Sequence, residues 1–332
     1  MLILRFRNYC VAQVHDTRKI TYLRVSVTDR CSQRCLYCMP DGEPEALPPS
    51  DALTREEIVA AVAAGVQFGI TKVRLTGGEP LLRPDIVELT AKLRGLRGVK
   101  ELAMTTNGSL LATRAGDLRR AGLDRVNISM DSLRPERYAK ITGGGILQNV
   151  LDGLCAAGEA GFAGTRVNVV LMKGVNDDEV ADFATLAAAR ALEARFIELM
   201  PLKWPLNEWA RLFIGRDEIT MRLGDAHPLE RIPAEASASA QTRWRIAGTH
   251  GIVGIIAPIS APFCGACNRL RLGADGRLRA CLMEDGCVDI RPLLRPGPRM
   301  SDLIRAFARA AALKPARHSG TPNFNEMSRM GG

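Results

Sequence analysis

A mixed α/β fold is what the sequence predicts: a parallel sheet curved into a full or partial barrel, followed by a smaller part built of short antiparallel strands. Three features carry this expectation. Short β-rich runs alternate with helical segments six times between Thr21 and Met200, and the alternation stops after Met200. The chain's 332 residues, 46% hydrophobic and 24% charged, suffice to bury a sizeable core and exclude disordered and fibrous classes.

Predicted strands of the first part run over Tyr22 to Val27, Lys72 to Leu75, Glu101 to Thr105, Arg125 to Ser129, Arg166 to Leu171 and Arg195 to Leu199. The clearest helix starts at Thr54, which forms a capping box with Glu57, and runs through Ile58, Val59 and Val62 until Gly65 and Gly69 weaken and end it. Further helices are predicted over Asp85 to Leu93, Ala112 to Ala121, Leu147 to Ala160 and Asp178 to Ala189. Such succession needs right-handed crossovers and a parallel sheet, whose ligands gather at the carboxyl ends of the strands.

Pro201 to Ala240 is rich in Pro, Ala and Ser and reads as a linker and surface insertion with one short helix near Glu218. Small antiparallel strands follow over Arg243 to Ile246, Ile252 to Ile256, Arg269 to Leu272 and Arg277 to Leu282, with Ala274, Asp275 and Gly276 as a hairpin turn. A last helix over Asp302 to Ala312 leads to a polar tail ending Met330, Gly331, Gly332. The expected divisions are residues 1–20, an N-terminal extension; 21–205, the barrel; 206–320, a C-terminal subdomain; and 321–332, a mobile tail.

Forty-five Lys and Arg against 36 Asp and Glu leave a net charge of +9, but the basic residues are mostly Arg and spread along the chain, so no nucleic-acid partner is expected. No apolar run approaches the roughly 18 residues of a membrane span. Arg5 and Arg7 break the apolar start before a signal-peptide core could form, so a cytoplasmic location away from membranes is expected. Nine cysteines, an odd number in a long chain without an export signal, point to reduced thiols with ligand roles.

Six of the nine fall into two sets. Cys31, Cys35 and Cys38 follow the first strand in DRCSQRCLYCMP. Three thiolates at this spacing wrap a small loop and leave one corner of a four-iron cluster without a protein ligand, open to a substrate or cofactor. A closed zinc shell would want a fourth ligand, and the closest histidine is His15. Cys264, Cys267 and Cys281 form the second set, in FCGACNRLRLGADGRLRACL. A zinc knuckle with Cys287 as fourth ligand is compatible with this spacing. Against it stand Arg269 and Arg271, which alternation puts on one face of a strand beside the thiols, where an anion is needed to offset them. Cys155 shares an apolar helix face with Val150, Leu151 and Leu154 and reads as a core thiol, while Cys10 and Cys287 have no assigned role. Asn127 and Asp131 flank Ser129 and either shape a pocket or form a turn.

The first cysteine loop, with Tyr37 between the second and third thiol, resembles the radical S-adenosylmethionine superfamily, as does the run Thr76, Gly77, Gly78, Glu79, Pro80 after the second strand. A glycine pair lets backbone approach a ligand closely. Together with C-x2-C-N-R-x-R and the terminal Gly-Gly, the whole chain from about Thr21 is similar to the GTP 3′,8-cyclase family of molybdenum-cofactor biosynthesis. The matching runs include LRVSVTDRC, VRLTGGEPLLR, TTNG, NISMDSL, VNVVLMKGVND, FIELMPL and MSRMGG.

This resemblance implies a partial (β/α)6 barrel, a C-terminal subdomain carrying a second cluster, and two 4Fe-4S clusters held by Cys31, Cys35 and Cys38 and by Cys264, Cys267 and Cys281. It implies that S-adenosylmethionine meets Tyr37, Gly78, Ser129 and Met200, and that GTP meets Arg24, Arg74, Thr105, Arg166, Arg269, Leu270 and Arg271, with Lys72 and Arg195 as weaker additions. Arg166 stands where the family pattern has Lys. An adenosyl radical then takes the ribose 3′ hydrogen and C3′ closes onto guanine C8, with the Gly331–Gly332 tail assisting. The implied partners are cyclic pyranopterin monophosphate synthase as next enzyme and an electron donor such as flavodoxin or ferredoxin, the chain being a monomer or a homodimer. On the residues alone, the inward arginines could instead pair with carboxylates such as Glu101 or Glu198. The rival functions are a peptide-modifying radical enzyme and a zinc or nucleic-acid binder.

Overall fold

The computed structural model describes residues 18–39, 46–202, 204–233, 241–320 and Met330; Cys10, Gly331 and Gly332 lie outside the described residues. Strands β1 (Tyr22–Ser26), β2 (Lys72–Thr76), β3 (Glu101–Thr106), β4 (Arg125–Ser129), β5 (Arg166–Leu171) and β6 (Glu193–Glu198) lie side by side in chain order, all parallel. Helices α1 (Arg55–Phe68), α2 (Ile86–Arg94), α3 (Ala115–Arg120), α4 (Pro135–Thr142), α5 (Leu147–Glu159) and α6 (Val180–Arg190) form the crossovers.

Thr54 caps α1 as expected: its hydroxyl accepts from Glu57 N at 3.2 Å, and the Glu57 carboxylate accepts from Thr54 N at 2.8 Å. Gly69, at φ 127°, ends the helix in a conformation that suits glycine. Sequence periodicity missed α4, a helix of only two turns. Its signals are Pro135 in the first turn and the buried Tyr138 and Ile141.

The described part of the stretch read as a linker holds more than one short helix. Helices α7 (Leu206–Leu212) and α8 (Arg216–Ala226) lead into β7 (Leu229–Ile232), and α8 buries Ile219 and Leu223, one turn apart, beside α6. Its high Pro and Ala content obscured that short stripe.

The C-terminal strands β8 (Gln241–Ile246), β9 (Ile252–Ile256), β10 (Arg269–Leu272), β11 (Arg277–Arg279) and β12 (Cys287–Asp289) pair antiparallel within the sets β8–β9 and β10–β11–β12. Yet β9 lies parallel to β6 and β10 parallel to β1. The sheet order is therefore β12-β11-β10-β1-β2-β3-β4-β5-β6-β9-β8-β7, so the C-terminal chain extends the barrel at both edges. Helices α9 (Arg291–Leu294) and α10 (Met300–Ala312) follow, and α10 packs Phe307 against Phe68 of α1, ring centroids 5.9 Å apart. Gly65 makes room for that ring, since a Cβ there would lie 3.0 Å from Phe307.

Candidate active site

The pairing of β1 with β10 sets the geometry of the site. The two strands run parallel with Tyr22 opposite Arg269 and Val25 opposite Leu272. Cys31, Cys35 and Cys38 follow the carboxyl end of β1. Cys264 and Cys267 precede the amino end of β10, and Cys281 follows β11, which has run antiparallel back to that end. The two cysteine triads thus sit at opposite ends of one strand pair, separated by about five residues or roughly 15 Å of strand.

A cavity of about 580 Å³ lies between the barrel strands. Its upper wall includes Cys31, Cys35, Cys38, Tyr37, Gly78, Ser129 and Met200. The cysteine loop is pinned from outside by α4: Arg34 N donates to Thr142 O and Leu36 N to Ile141 O, both at 2.9 Å. Inside, the Tyr37 hydroxyl donates to Asp131 Oδ2 at 2.8 Å, and Asp131 Oδ1 accepts from Val170 N at 2.8 Å. Asp131 therefore fixes the ring of the loop tyrosine as well as the end of β4.

The glycine pair after β2 lines the cavity and has a local reason besides ligand approach. Gly78 N donates to Thr28 O and Glu79 N to Arg30 O, each at 2.8 Å, and a Cβ on Gly78 would lie 2.2 Å from Arg30 O. What crowds these glycines is the backbone of the cysteine loop itself. Glu79 accepts from Leu81 N, Thr106 Oγ1 and Asn107 N at 2.7 to 2.9 Å, yet burial pushes its carboxyl up to about 7.

Lower in the cavity the β1, β2 and β10 side chains form two rungs, Arg269–Tyr22–Lys72 and Arg271–Arg24–Arg74. Tyr22 sits among cations: Lys72, Arg74 and Arg269 lie 5.4, 5.7 and 5.5 Å from its ring centroid. Burial alone would raise its phenol, but Arg74, Arg24, Arg269 and Lys72 outweigh burial and bring it down to about 8. Sequence reasoning placed Tyr22 only as a strand residue; its position two residues before Arg24, hence on the same face, was the available signal.

Behind the far wall, which includes Arg166, Arg195, Gln241 and Arg243, Glu193 organises the cations. It accepts from Arg166 Nε at 2.9 Å, Arg195 Nε at 2.8 Å and Gln241 Nε2 at 2.9 Å. Glu101 pairs with Lys72 at 2.7 Å and with Arg125. Glu101 thus takes the pairing role anticipated for it, whereas Glu198 does not. Glu198 is engaged by Arg216 N, Ile259 N, Ser260 N and the Ser260 hydroxyl. Arg74 Nε, Asn127 Oδ1 and Asn168 Oδ1 are buried around the same cavity with no hydrogen-bond partner among the described residues. Donors and acceptors held this way suit a polar, anionic ligand.

A second cavity of about 180 Å³ adjoins the first, sharing Arg24, Ile197, Met200, Ile256 and Arg269 as walls, and is lined by Cys264, Cys267 and Cys281 with Arg271. Asn268 ties this end of β10 to β1: its carbonyl accepts from Thr21 N and Tyr22 N and its side chain donates to Thr21 Oγ1 at 2.8 Å. Burial would push the Cys267 thiol up, but Lys314 and Arg269 outweigh it and leave the thiol below its usual value. Burial pushes Cys31, Cys35 and Cys281 up.

The structure brings together the sequence-predicted residues Arg24, Arg74, Thr105, Arg166 and Arg269 on the first cavity and Arg271 on the second. Leu270 lies between the two arginines on β10, and strand alternation turns its side chain into the hydrophobic core, leaving only its backbone to face a ligand. Cys155 is a correction, being exposed rather than core, because the buried stripe of α5 is Leu147, Val150, Leu154 and Ala157 and the thiol lies one position off it beside Arg190. Cys287 is absent from the wall of the second cavity.

Among the described residues no three His, Cys, Asp or Glu side chains are placed to hold a single metal ion. The thiolates of a four-iron cube each hold a different iron, and two all-sulfur donor sets facing cavities are what such clusters take.

A cysteine loop and a glycine turn at the carboxyl ends of adjacent parallel strands, over a barrel cavity, define a radical S-adenosylmethionine protein. Residues 25–187 match the Radical SAM superfamily, and residues 192–320 match the family Molybdenum Cofactor Synthesis C. The chain is 45% identical to the GTP 3′,8-cyclase of Moorella thermoacetica over 95% of its own length and 98% of that protein. It is 44% identical to that of Geobacter sulfurreducens over 91% and 92% of the two chains. Streptococcus suis SuiB bound to S-adenosylmethionine shares the fold, with a TM-score of 0.53 at 14% identity over 85% of this chain and 62% of that one. The chain belongs to the GTP 3′,8-cyclase family.

Proposed function

We propose that this protein is a GTP 3′,8-cyclase catalysing the first step of molybdenum-cofactor biosynthesis. The observation that carries this reading is the pair of cysteine triads at opposite ends of β1 and β10 with a cationic layer between them. Two 4Fe-4S clusters held by these triads would supply the electron chemistry: one-electron cleavage of S-adenosylmethionine to methionine and an adenosyl radical that takes the 3′ hydrogen of GTP, then closure of C3′ onto guanine C8 with uptake of one electron and one proton to give 3′,8-cyclo-7,8-dihydro-GTP.

The chain's own part is to bind, orient and exclude water. Cys31, Cys35 and Cys38 would hold the first cluster, and Cys264, Cys267 and Cys281 the second. Tyr37, Gly78, Ser129 and Met200 surround the space for S-adenosylmethionine at the carboxyl ends of the strands. Arg24, Arg74, Arg166, Arg269 and Arg271, with Thr105 beside Arg74, supply donors that a triphosphate can accept in bidentate fashion. Arg166 keeps the positive charge of the family's Lys and is oriented by Glu193. The Gly331–Gly332 tail, outside the described residues, would assist turnover. An electron donor such as flavodoxin or ferredoxin would supply the electron, cyclic pyranopterin monophosphate synthase would take the product, and the setting would be the cytoplasm.

Anaerobic incubation with S-adenosylmethionine, dithionite and GTP deuterated at C3′ tests this. The expected result is 5′-deoxyadenosine whose formation depends on GTP and which carries the deuterium. Cleavage indifferent to GTP, or product without deuterium, would overturn the reading.

A further inference from the structure

A buried and a half-buried cation, with no part in the proposed GTP site, converge on the second cysteine triad. Lys314, 7% exposed just beyond α10, donates from Nζ to Arg269 O at 2.7 Å and to Ala280 O at 2.8 Å. Those carbonyls belong to the residue two after Cys267 and the residue immediately before Cys281. The Cys267 thiol is close enough for the ammonium to favour its thiolate. Two of the three donors of the ammonium are thus committed to carbonyls beside the triad.

Arg18 completes the set from the other end of the chain. Its Nη1 donates to Cys264 O at 2.7 Å and to Pro315 O at 3.0 Å, and its Nη2 to Lys314 O at 3.1 Å. Arg18 thus joins the segment of the first thiol to the segment that carries Lys314. Both residues line the second cavity. All three cysteine-bearing segments, which approach the site from separate places in the chain, are tied to one another through two cations.

Ordinary strand pairing does not need charge here, because carbonyls accept equally from neutral donors. A cation buried in its place lowers the free energy of any negative body the triad holds. Three thiolates on a four-iron cluster are such a body, and it becomes more negative on reduction. We infer that Arg18 and Lys314 form a cationic clamp that both sets the spacing of Cys264, Cys267 and Cys281 and raises the reduction potential of the cluster they hold. Both are positioning residues, and the inference rests on the proposed reading of that triad as a cluster site.

The test uses the full chain with Cys31, Cys35 and Cys38 replaced by alanine, so that iron reports the second triad alone. After anaerobic reconstitution, potential is read by EPR-monitored titration and retention by iron release to a ferrous chelator. Lys314→Gln, which keeps two donors but loses the charge, should lower the potential by at least the about 59 mV of a tenfold change in a one-electron couple. It should also speed iron release about tenfold or more. Lys314→Arg should keep the potential near that of the parent, and Arg18→Gln should speed release. Unchanged potential and release in Lys314→Gln would overturn the clamp. Should the Gln variant take up no iron, Lys314→Arg decides, loading at the parental potential supporting the clamp and equal failure overturning it. A parent that takes up no iron would instead overturn the cluster assignment itself.

Discussion

Arg24 and Arg271, far apart in sequence, face each other in register on adjacent parallel strands, Arg271 buried and Arg24 half-buried on one face of the sheet. Arg271 disfavours the charge of Arg24, a repulsion that a bound polyanion would relieve. Arg271→Met should therefore raise the stability of the ligand-free protein by about 1 kcal/mol. The same change should remove most of the roughly 2.7 kcal/mol by which GTP at a hundred times its Kd stabilises the wild type. Thermal melts with and without GTP check both; a variant destabilised without ligand and still stabilised by GTP would refute the relationship.

Tyr22 predicts a pH dependence of substrate binding. Its phenol, brought down to about 8 by the cations around it, becomes a phenolate as pH rises past that value and adds negative charge where a triphosphate must sit. GTP affinity should fall about tenfold per pH unit above pH 8, and binding there should take up a proton. Tyr22→Phe keeps the ring that Lys72, Arg74 and Arg269 lie against and should flatten this limb. Calorimetry in buffers of different ionisation enthalpy reads the proton directly, and an identical limb in the variant would assign it elsewhere.

The parts of the site that local pattern could reveal were those whose reasons are local. Cysteine spacing, the strand alternation that puts Arg24 beside Tyr22, and the Thr54 capping box depend on neighbours a few residues away. The pairing of β10 with β1 does not: it joins residues 22–25 to 269–272, and only it turns two cysteine motifs into two ends of one cavity. Glu193 escaped notice for the same reason, since its arginines come from three strands, while Glu198 was a plausible partner until Ser260 and three backbone amides were seen to claim it. Arg18 acts across more than two hundred residues and Lys314 across 45 and 34, and no periodicity marks them.

Gly78 should be intolerant of substitution for a reason separable from cofactor contact. A methyl group there would meet Arg30 O at 2.2 Å and Asp29 O at 2.8 Å, backbone atoms one and two residues from Cys31. Gly78→Ala should therefore spread the cysteine loop and lose about four of the about eight irons expected from two clusters. The rest of the fold should survive. Iron content with circular dichroism checks this, and full iron content together with lost S-adenosylmethionine binding would locate the glycine's importance in the ligand instead.

Glu193 carries the last prediction. Burial would push its carboxyl up, but Arg195, Arg166 and Arg243 outweigh burial and hold it at about 2, below the ordinary 4.5. A carboxylate depressed on folding contributes stability that is present in full above the unfolded value and disappears as pH falls toward the folded one. The gap corresponds to about 3 kcal/mol, held at neutral pH and lost between about pH 5 and pH 2. Urea denaturation should show the wild type losing that amount across the window. Glu193→Gln should be less stable at pH 7 by a similar amount and nearly flat across the same window, as far as this group decides. Because one of the two oxygens that accept from Arg166 and Arg195 becomes an NH2 donor and the negative charge between them is lost, the variant should also bind GTP about tenfold more weakly. Parallel stability curves for the two proteins would mean that the arginines are held by something other than Glu193.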